Sequence, residues 1–307
     1  MIRYIDTHRD RFGVEPICRV LDQTECGFIT SRGYRAAKIR VRSARDLKDD
    51  LLIGEIQRIH AQNYSVYGVR KIWHALRREG WDVGRDQVFR LMGKAGITGA
   101  VRGRKPRTTV PAPVLDRRPD LVERNFKAPA PGALWVADIT YIRTTAGFVY
   151  TAFVIDAYSR KIVGWATRAS MTTEALSLEA LEHALATARR QQNINLVHHS
   201  DRGSQYVALA YTEKLADHGI RPSVGTVGDS YDNSLAETVN GLYKTELIYS
   251  QPSWRSLTEV EFATMNWVHW WNTTRLHEYL GHQTPAEIEA AYYEHQREQT
   301  PAPIQRN

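Results

Sequence analysis

Leu134-Trp135-Val136-Ala137-Asp138-Ile139-Thr140-Tyr141-Ile142 decides how the chain is read: eight of its nine residues are apolar or β-favouring, and a carboxylate stands in the middle. The run predicts a strand suited to a sheet interior. An acid buried there is costly unless something offsets its charge. Downstream, Ile194-Asn195-Leu196-Val197-His198-His199-Ser200-Asp201 predicts a second short buried strand running out into the polar segment Arg202-Gly203-Ser204-Gln205, so Asp201 sits at a strand's carboxyl end. A third acid, Glu237, comes after thirty-five intervening residues. It follows the loop Gly228-Asp229-Ser230-Tyr231-Asp232-Asn233 and lies in Ser234 to Tyr249, where Leu235, Val239, Leu242, Thr245 and Tyr249 recur at helical spacing. That spacing puts Glu237 in the first turn or two of a helix.

The neighbouring segments predict an α/β sheet. Trp135–Ile142, Gly147–Asp156 and Lys161–Thr167 read as three strands joined by short turns, hence two hairpins in a row. Thr173 to Gln191 is an amphipathic helix through Leu176, Ala180, Leu181, Ala184 and Leu185, the crossover that a parallel partner strand requires. Tyr206 to His218 is the next helix and Arg221 to Val224 a last strand. The sum is a mixed five-stranded sheet with flanking helices, with the Asp138 and Asp201 strands side by side.

Three carboxylates brought together repel one another. The usual way to keep all of them ionised is a divalent cation, and a hard one where every candidate ligand is oxygen, so Mg²⁺ or Mn²⁺ is the expected occupant. Two such ions about 3.5–4 Å apart clamp the attacking and leaving oxygens of an in-line phosphoryl displacement. That is phosphodiester chemistry.

Trp135 to Ile142, His199-Ser200-Asp201-Arg202-Gly203-Ser204-Gln205-Tyr206 and Asp232-Asn233-Ser234-Leu235-Ala236-Glu237, with Lys244 seven residues on, closely resemble the DDE transposases of the retroviral-integrase superfamily. The likeness is closest to the bacterial insertion-sequence transposases of the OrfB type, and it covers nearly the whole chain. It implies a ribonuclease-H-like integrase core in which Asp138, Asp201 and Glu237 are the catalytic acids and hold two divalent ions. It also implies that Asn233, one turn before Glu237, and Lys244, two turns after it, meet DNA from the same helix face.

The rest of the chain is consistent with a DNA partner. Net charge is +7 over 307 residues, but residues 1–130 hold 27 Lys and Arg against 15 Asp and Glu (+12), while 131–307 hold 14 against 19 (−5). A basic front half suits a polyanion and an acidic back half suits metal, although a solvated charged surface alone gives part of the contrast. No apolar run approaches the roughly 18 residues of a membrane span, and the first residues are no secretory signal, so a cytoplasmic, nucleoid-associated protein is expected. Cys18 and Cys26 are the only cysteines and form no zinc pattern. His198 and His199, adjacent on a strand, point to opposite faces and are expected to have structural or supporting roles.

Arg9 to Leu21 and Ile29 to Ala37 read as short helices in a small helical region, 1–45, similar to the family's first helix-turn-helix; Lys38 to Arg45 is a basic connector. Leu51 to Ala61, Val69 to Glu79 and Arg85 to Ala95 read as three helices with a glycine-bearing turn, a helix-turn-helix-like DNA-binding domain over 46–98. Ile72, Leu76, Val88, Leu91 and Met92 would form its core, leaving Arg85, Gln87, Arg90 and Lys94 for a groove or phosphates. Residues 99–127 form a basic, proline-containing linker. Its Arg102, Arg104, Lys105 and Arg107 would track the DNA backbone, with an ordinary charged linker as the alternative. The integrase core spans 128–250 and a helical extension 251–307, where Trp267, Trp270 and Trp271 pack a helix onto the core and Thr284-Pro285-Ala286-Glu287 has the form of a capping box.

The resemblance implies a transposase catalytic subunit that nicks the end of an insertion sequence and transfers the freed strand. Its expected partners are double-stranded DNA, a second copy of the chain or a higher oligomer, and the product of an upstream reading frame as fusion or partner, since this chain has no coiled-coil heptads of its own. A ribonuclease-H-like nuclease that cuts without joining, and an inactive DNA-binding regulator, are the alternatives.

Overall fold

Side chains alternate between two covered faces of the sheet, so that consecutive residues of β1 (Leu134–Thr144) and β2 (Gly147–Asp156) are buried. The computed structural model describes residues 1–25, 27–101, 121–122, 126–172, 176–188, 195–201, 206, 209–224 and 233–299. Strands β1 (Leu134–Thr144), β2 (Gly147–Asp156) and β3 (Ile162–Arg168) form two antiparallel hairpins. β4 (Val197–Ser200) and β5 (Arg221–Val224) add in parallel beside β1, giving the order β3-β2-β1-β4-β5. This is the mixed five-stranded sheet expected from the sequence.

Each face of the sheet carries its own core. On one face Ala137, Ala152, Val154 and Ala166 pack with Ala180, Leu181, Ala184 and Leu185 of a helix spanning Ser177–Ala188, and with Tyr211 and Leu215 of a helix spanning Leu209–Asp217. The first helix approaches β3 so closely that a Cβ built on Gly164 would lie 2.1 Å from the Ala180 carbonyl oxygen. On the other face Phe153 meets Tyr243 edge-on at 5.0 Å and Trp267 at 5.9 Å, from helices spanning Ser234–Glu246 and Leu257–Thr273. Trp267, Trp270 and Trp271 are all buried, as packing residues should be.

Numbered in chain order, the helices are α1 (Ile2–Phe12), α2 (Val14–Asp22), α3 (Ser31–Ile39), α4 (Ala44–Gln62), α5 (Val69–Arg78) and α6 (Arg85–Lys94), then α7 (Ser177–Ala188), α8 (Leu209–Asp217), α9 (Ser234–Glu246), α10 (Leu257–Thr273) and α11 (Pro285–Gln299). The chain divides into two compact units, Met1–Glu55 and Ile56–Asn307. In the first, Ile5, Ile17, Cys18 and Tyr34 form a small core, and Tyr34 Oη donates to Asp6 at 2.8 Å. The single helix expected over Arg9 to Leu21 is instead α1 and α2, broken at Gly13, whose φ of 77° is open to glycine and strained for other residues.

In the second unit, α5 and α6 make the expected helix pair: Ile72, Leu76, Val88, Leu91 and Met92 are buried, and Trp73 Nε1 donates to the Val83 carbonyl in the intervening turn at 2.9 Å. The pair is bound to the carboxyl-terminal helices. Trp270 Nε1 donates to Asn63 Oδ1 at 2.9 Å and the Leu276 amide to Tyr67 Oη at 2.7 Å. Arg70 pairs with Glu278, Arg78 with Glu287, and the His74 and His282 rings stack at 3.7 Å. Beneath this contact, Arg275 and Glu246 form a buried bidentate pair, closest at 2.6 Å, and Arg275 Nη1 donates to His277 Nδ1 at 3.3 Å. Burial, with the Arg275 charge adding, lowers the His277 pKa to about 2, so this imidazole is neutral and donates from Nε2 to the Trp271 carbonyl at 3.1 Å.

Gly164→Ala is expected to destabilise the protein by about 1–3 kcal/mol, because the added methyl meets backbone rather than a flexible side chain. Chemical denaturation of the two proteins measures it.

Candidate active site

β1 pairs in parallel with β4 up to Ala137 opposite Ser200. The next residue on each strand is an acid, Asp138 and Asp201, so the register sets the two side by side where β4 ends. Asp138 lies opposite Phe153 on β2, and cross-strand partners share a face, so its carboxylate belongs to the side covered by α9. Glu237 lies in the first turn of α9.

Two asparagines tie α9 to β1. Asn233, its N-cap, donates from Nδ2 to the Ala137 carbonyl at 2.9 Å, and Asn240, one turn after Glu237, donates from Nδ2 to Asp138 Oδ2 at 2.9 Å. Asp138 Oδ1 accepts the Ile139 amide at 2.8 Å. Asn240 escaped the sequence reading, although its i+3 spacing from Glu237 puts it on the same helix face. Tyr206 escaped it as well. Its phenol pKa is raised well above the usual value by burial, then by Tyr211 and the charges of Asp138 and Asp201.

Electrostatics make the acid pair unstable as it stands. Burial, then the neighbouring charge of Asp201, with Glu237 contributing less, raises the Asp138 pKa to about 8 against the two hydrogen bonds that lower it. Among the described residues, no three His, Cys, Asp or Glu side chains stand close enough to enclose a metal ion. The donor set nonetheless fits a hard divalent ion: three carboxylates within one another's field, and two amide oxygens, Asn233 Oδ1 and Asn240 Oδ1, buried without a hydrogen-bond donor.

Other groups near the site have settled roles. Asp156 is a more deeply buried acid, but it accepts the Gly132, Tyr158 and Ser159 amides and the Ser159 hydroxyl, which fixes the β2–β3 turn. His198 meets Tyr211 Oη at 3.0 Å and His199 meets Ser223 Oγ at 2.9 Å, structural roles for both histidines. Asn233, expected to meet DNA, is 5% exposed and faces β1. The Lys244 ammonium sits 4.5 Å from the centre of the Tyr141 ring, which is partly exposed beside Phe148.

Among the remaining expected DNA contacts, Arg85, Arg90 and Lys94 are exposed on α6 and Gln87 is half-buried. Arg85 pairs with Asp86 at 3.0 Å, and Phe89 is exposed on the same helix. Arg102, Arg104, Lys105 and Arg107 lie outside the described residues.

A sheet of this order, with paired acids at the β1–β4 step and a third on the helix above, defines an integrase-type catalytic core. Family models agree: Integrase core domain over residues 128–230 and again over 218–285, and HTH-like domain over 47–105. The chain is 52% identical to the putative transposase for insertion sequence element IS986/IS6110 of Mycobacterium tuberculosis, over 82% of this chain and 91% of that one. It is 48% identical to the transposase for insertion sequence element IS629 of Shigella sonnei, over 95% and 97%, and 28% identical to transposase InsF for insertion sequence IS3A of Escherichia coli, over 93% and 97%. Among solved structures, a chain of the simian T-cell lymphotropic virus intasome is similar at a TM-score of 0.44 and 14% identity, over 82% of this chain and 78% of that one. The chain belongs to the insertion-sequence transposases of the OrfB type. No helix among the described residues is long and apolar enough to cross a membrane.

Because the folded state raises the Asp138 pKa above its unfolded value, it binds that proton more tightly. This costs stability as pH rises from the ordinary carboxylate range towards 8. Asp138→Asn is therefore expected to raise the melting temperature at pH 8 by at least about 2 °C, with the gain shrinking towards pH 4. Mg²⁺ is expected to raise the melting temperature of the wild type and not of the variant, which differential scanning fluorimetry reads directly.

Proposed function

We propose that Asp138, Asp201 and Glu237 are the catalytic acids of a DDE transposase that cuts DNA at the end of an insertion sequence and joins the freed strand to a target. The observation that carries this reading is the β1–β4 register, which juxtaposes two acids under a helix that bears the third. Divalent ions, Mg²⁺ or Mn²⁺ and two in number, would be held by the three carboxylates and would supply charge neutralisation and Lewis acidity at the reacting phosphate.

The protein's own residues do the positioning. Asn240 holds one oxygen of Asp138 and the Ile139 amide the other, so the carboxylate is aimed without being neutralised. Asn233 clamps the start of α9 to β1 and so fixes where Glu237 stands. In cleavage, water adds to phosphorus and the 3′-oxygen of the element leaves with a proton. In joining, that 3′-hydroxyl attacks a target phosphodiester and a target 3′-oxygen leaves. Each step forms one bond to phosphorus and breaks one, so neither a covalent protein–DNA bond nor an energy source is required. This is the chemistry expected of the copy-out route through a circular intermediate.

DNA contacts follow from the basic front half. Arg85, Gln87, Arg90 and Lys94 on α6 would enter a groove, Arg102, Arg104, Lys105 and Arg107 would follow phosphates, and Lys244 would contact DNA beside the acids. Two element ends call for at least a dimer, and the upstream-frame product is the expected fusion or partner. The protein would work on the nucleoid in the cytoplasm. The working division is 1–45, 46–98, 99–127, 128–250 and 251–307.

Labelled DNA carrying the element's ends, incubated with Mg²⁺ or Mn²⁺, is expected to yield cut and joined products with the wild type. Glu237→Gln is expected to lose both by more than about 100-fold, since even outer partners of a metal site cost about 10–100-fold. Asn240→Ala should fall in that 10–100-fold range. Cutting without joining would instead identify a nuclease, and DNA binding with neither, even with the upstream frame fused on, a regulator.

A further inference from the structure

A cavity of about 970 Å³ lies between α5 and a face of α9 other than the one that bears Glu237. Thr238, Leu242 and Thr245 of α9 line it, and at 100° per residue they sit about 80–140° round the helix from Glu237, on a different face from Asn240 and Lys244. The mechanism proposed above makes no use of this face.

The walls carry five cations, Arg70, Lys71, Lys127, Arg160 and Arg275, against two acids, Glu246 and Glu278. Both acids are already engaged, Glu246 by Arg275 and Glu278 by Arg70. Arg160 and Lys71 have no carboxylate within ion-pair distance among the described residues. Arg160 is 8% exposed, held in the left-handed region at φ 64°, with its guanidinium 4.1 Å from the centre of the Tyr279 ring. Its carbonyl accepts the Trp271 indole at 2.8 Å, so the neighbouring structure maintains a backbone conformation that costs free energy. Lys71 is half-buried, its ammonium 5.0 Å from the centre of the Tyr67 ring. Burial, with the Arg275 charge adding, lowers its pKa to about 7. Lys71 and Arg160, neither in a direct ion pair among the described residues although Glu246 and Glu278 act on the first at longer range and Asp156 on the second, face one space that is also walled by Phe126, Trp271 and Tyr279.

Cations that meet phosphates and aromatic rings that stack bases are the two components of a single-strand site. The volume is at the upper end of the range for small ligands, about 300–1,000 Å³, and the cavity opens to solvent, which suits a run of nucleotides better than a lone ion. We infer that this cavity binds a single-stranded stretch of the DNA substrate, with phosphates on Lys71 and Arg160 and a base on the exposed Tyr279 ring, on a face of α9 other than the one that bears Glu237. The inference rests on DNA being the substrate, but not on the acids being active.

The test uses the full chain in EDTA and a fluorescent oligothymidylate, so that it reads strand binding with no cleavage. Lys71→Met keeps the packing of the side-chain stem and removes the charge, and is expected to weaken binding about 10-fold. Tyr279→Ala is expected to weaken it about 5-fold or more, with Tyr279→Trp and Lys71→Arg restoring it. Photo-crosslinking of an iodouracil-substituted oligonucleotide should label Tyr279 or Phe126. Unchanged affinity in folded Lys71→Met and Tyr279→Ala would overturn the inference. So would competition by orthophosphate or thymidine monophosphate as effective as that by the oligonucleotide, which would make this a small-anion site. Loss of joining activity in Glu237→Gln with strand binding intact would leave the inference standing, and wild-type joining with no cavity-dependent binding would sink it alone.

Discussion

The parallel pairing of β1 with β4 is the constraint on which the rest of the site depends. Parallel strands need a crossover, and α7 supplies it on the face where Ala137, Ala152 and Val154 present small or branched side chains. The opposite face is thereby left for α9 and α10, and it is the face to which Asp138 points. An acid can stand in a strand interior here because the strand beside it stops one residue earlier, at Ser200. The end of β4 gives Asp138 a neighbour of like charge and an opening, where a longer β4 would have given it a closed sheet.

The carboxyl-terminal extension contributes more than cover. A buried Arg–Glu pair is weak evidence of stability, since desolvation offsets much of the attraction, but removing one partner leaves a buried charge and is severe. Glu246 ends α9 and Arg275 follows α10, so their pairing holds α9 against the segment that carries His277 and Leu276. The position of Glu237 along its helix is therefore set at both ends, by Asn233 at the start and Glu246 at the finish.

Strand bounds were the most legible part of the sequence. β2 and β5 fall where turn residues bracket them, and α5 and α6 lie within a residue of the expected spans. Apolar periodicity runs on through Gly13, which is why two helices read as one. The three acids are expected in a strand interior, at a strand end and in a first helical turn, but among 34 acidic residues it is the resemblance of the motifs around them to DDE transposases that singles them out. Arg275, Glu246, Tyr67 and Trp270 could not be assigned from sequence, because their partners lie between 29 and 209 residues away and nothing local announces a bond of that span. Asn240 was within reach of helical spacing alone, but asparagine in a helix interior carries no signal until the carboxylate across from it is known.

The bond between the helix-turn-helix-like pair and the carboxyl-terminal helices has a geometric consequence for DNA. Five contacts, including a buried tryptophan–asparagine hydrogen bond and a stacked histidine pair, tie α5 and the turn before it to the carboxyl-terminal helices, and α6 packs on α5. On the function proposed above, one copy of the chain acts as a ruler, with the sequence it reads and the bond it cuts separated by a fixed number of base pairs. Duplex DNA turns once in about 10–10.5 base pairs, so adding half a turn between the two would present the wrong side of the helix to the acids. The tolerance of an element's end to insertion would then be set by the protein's own dimensions.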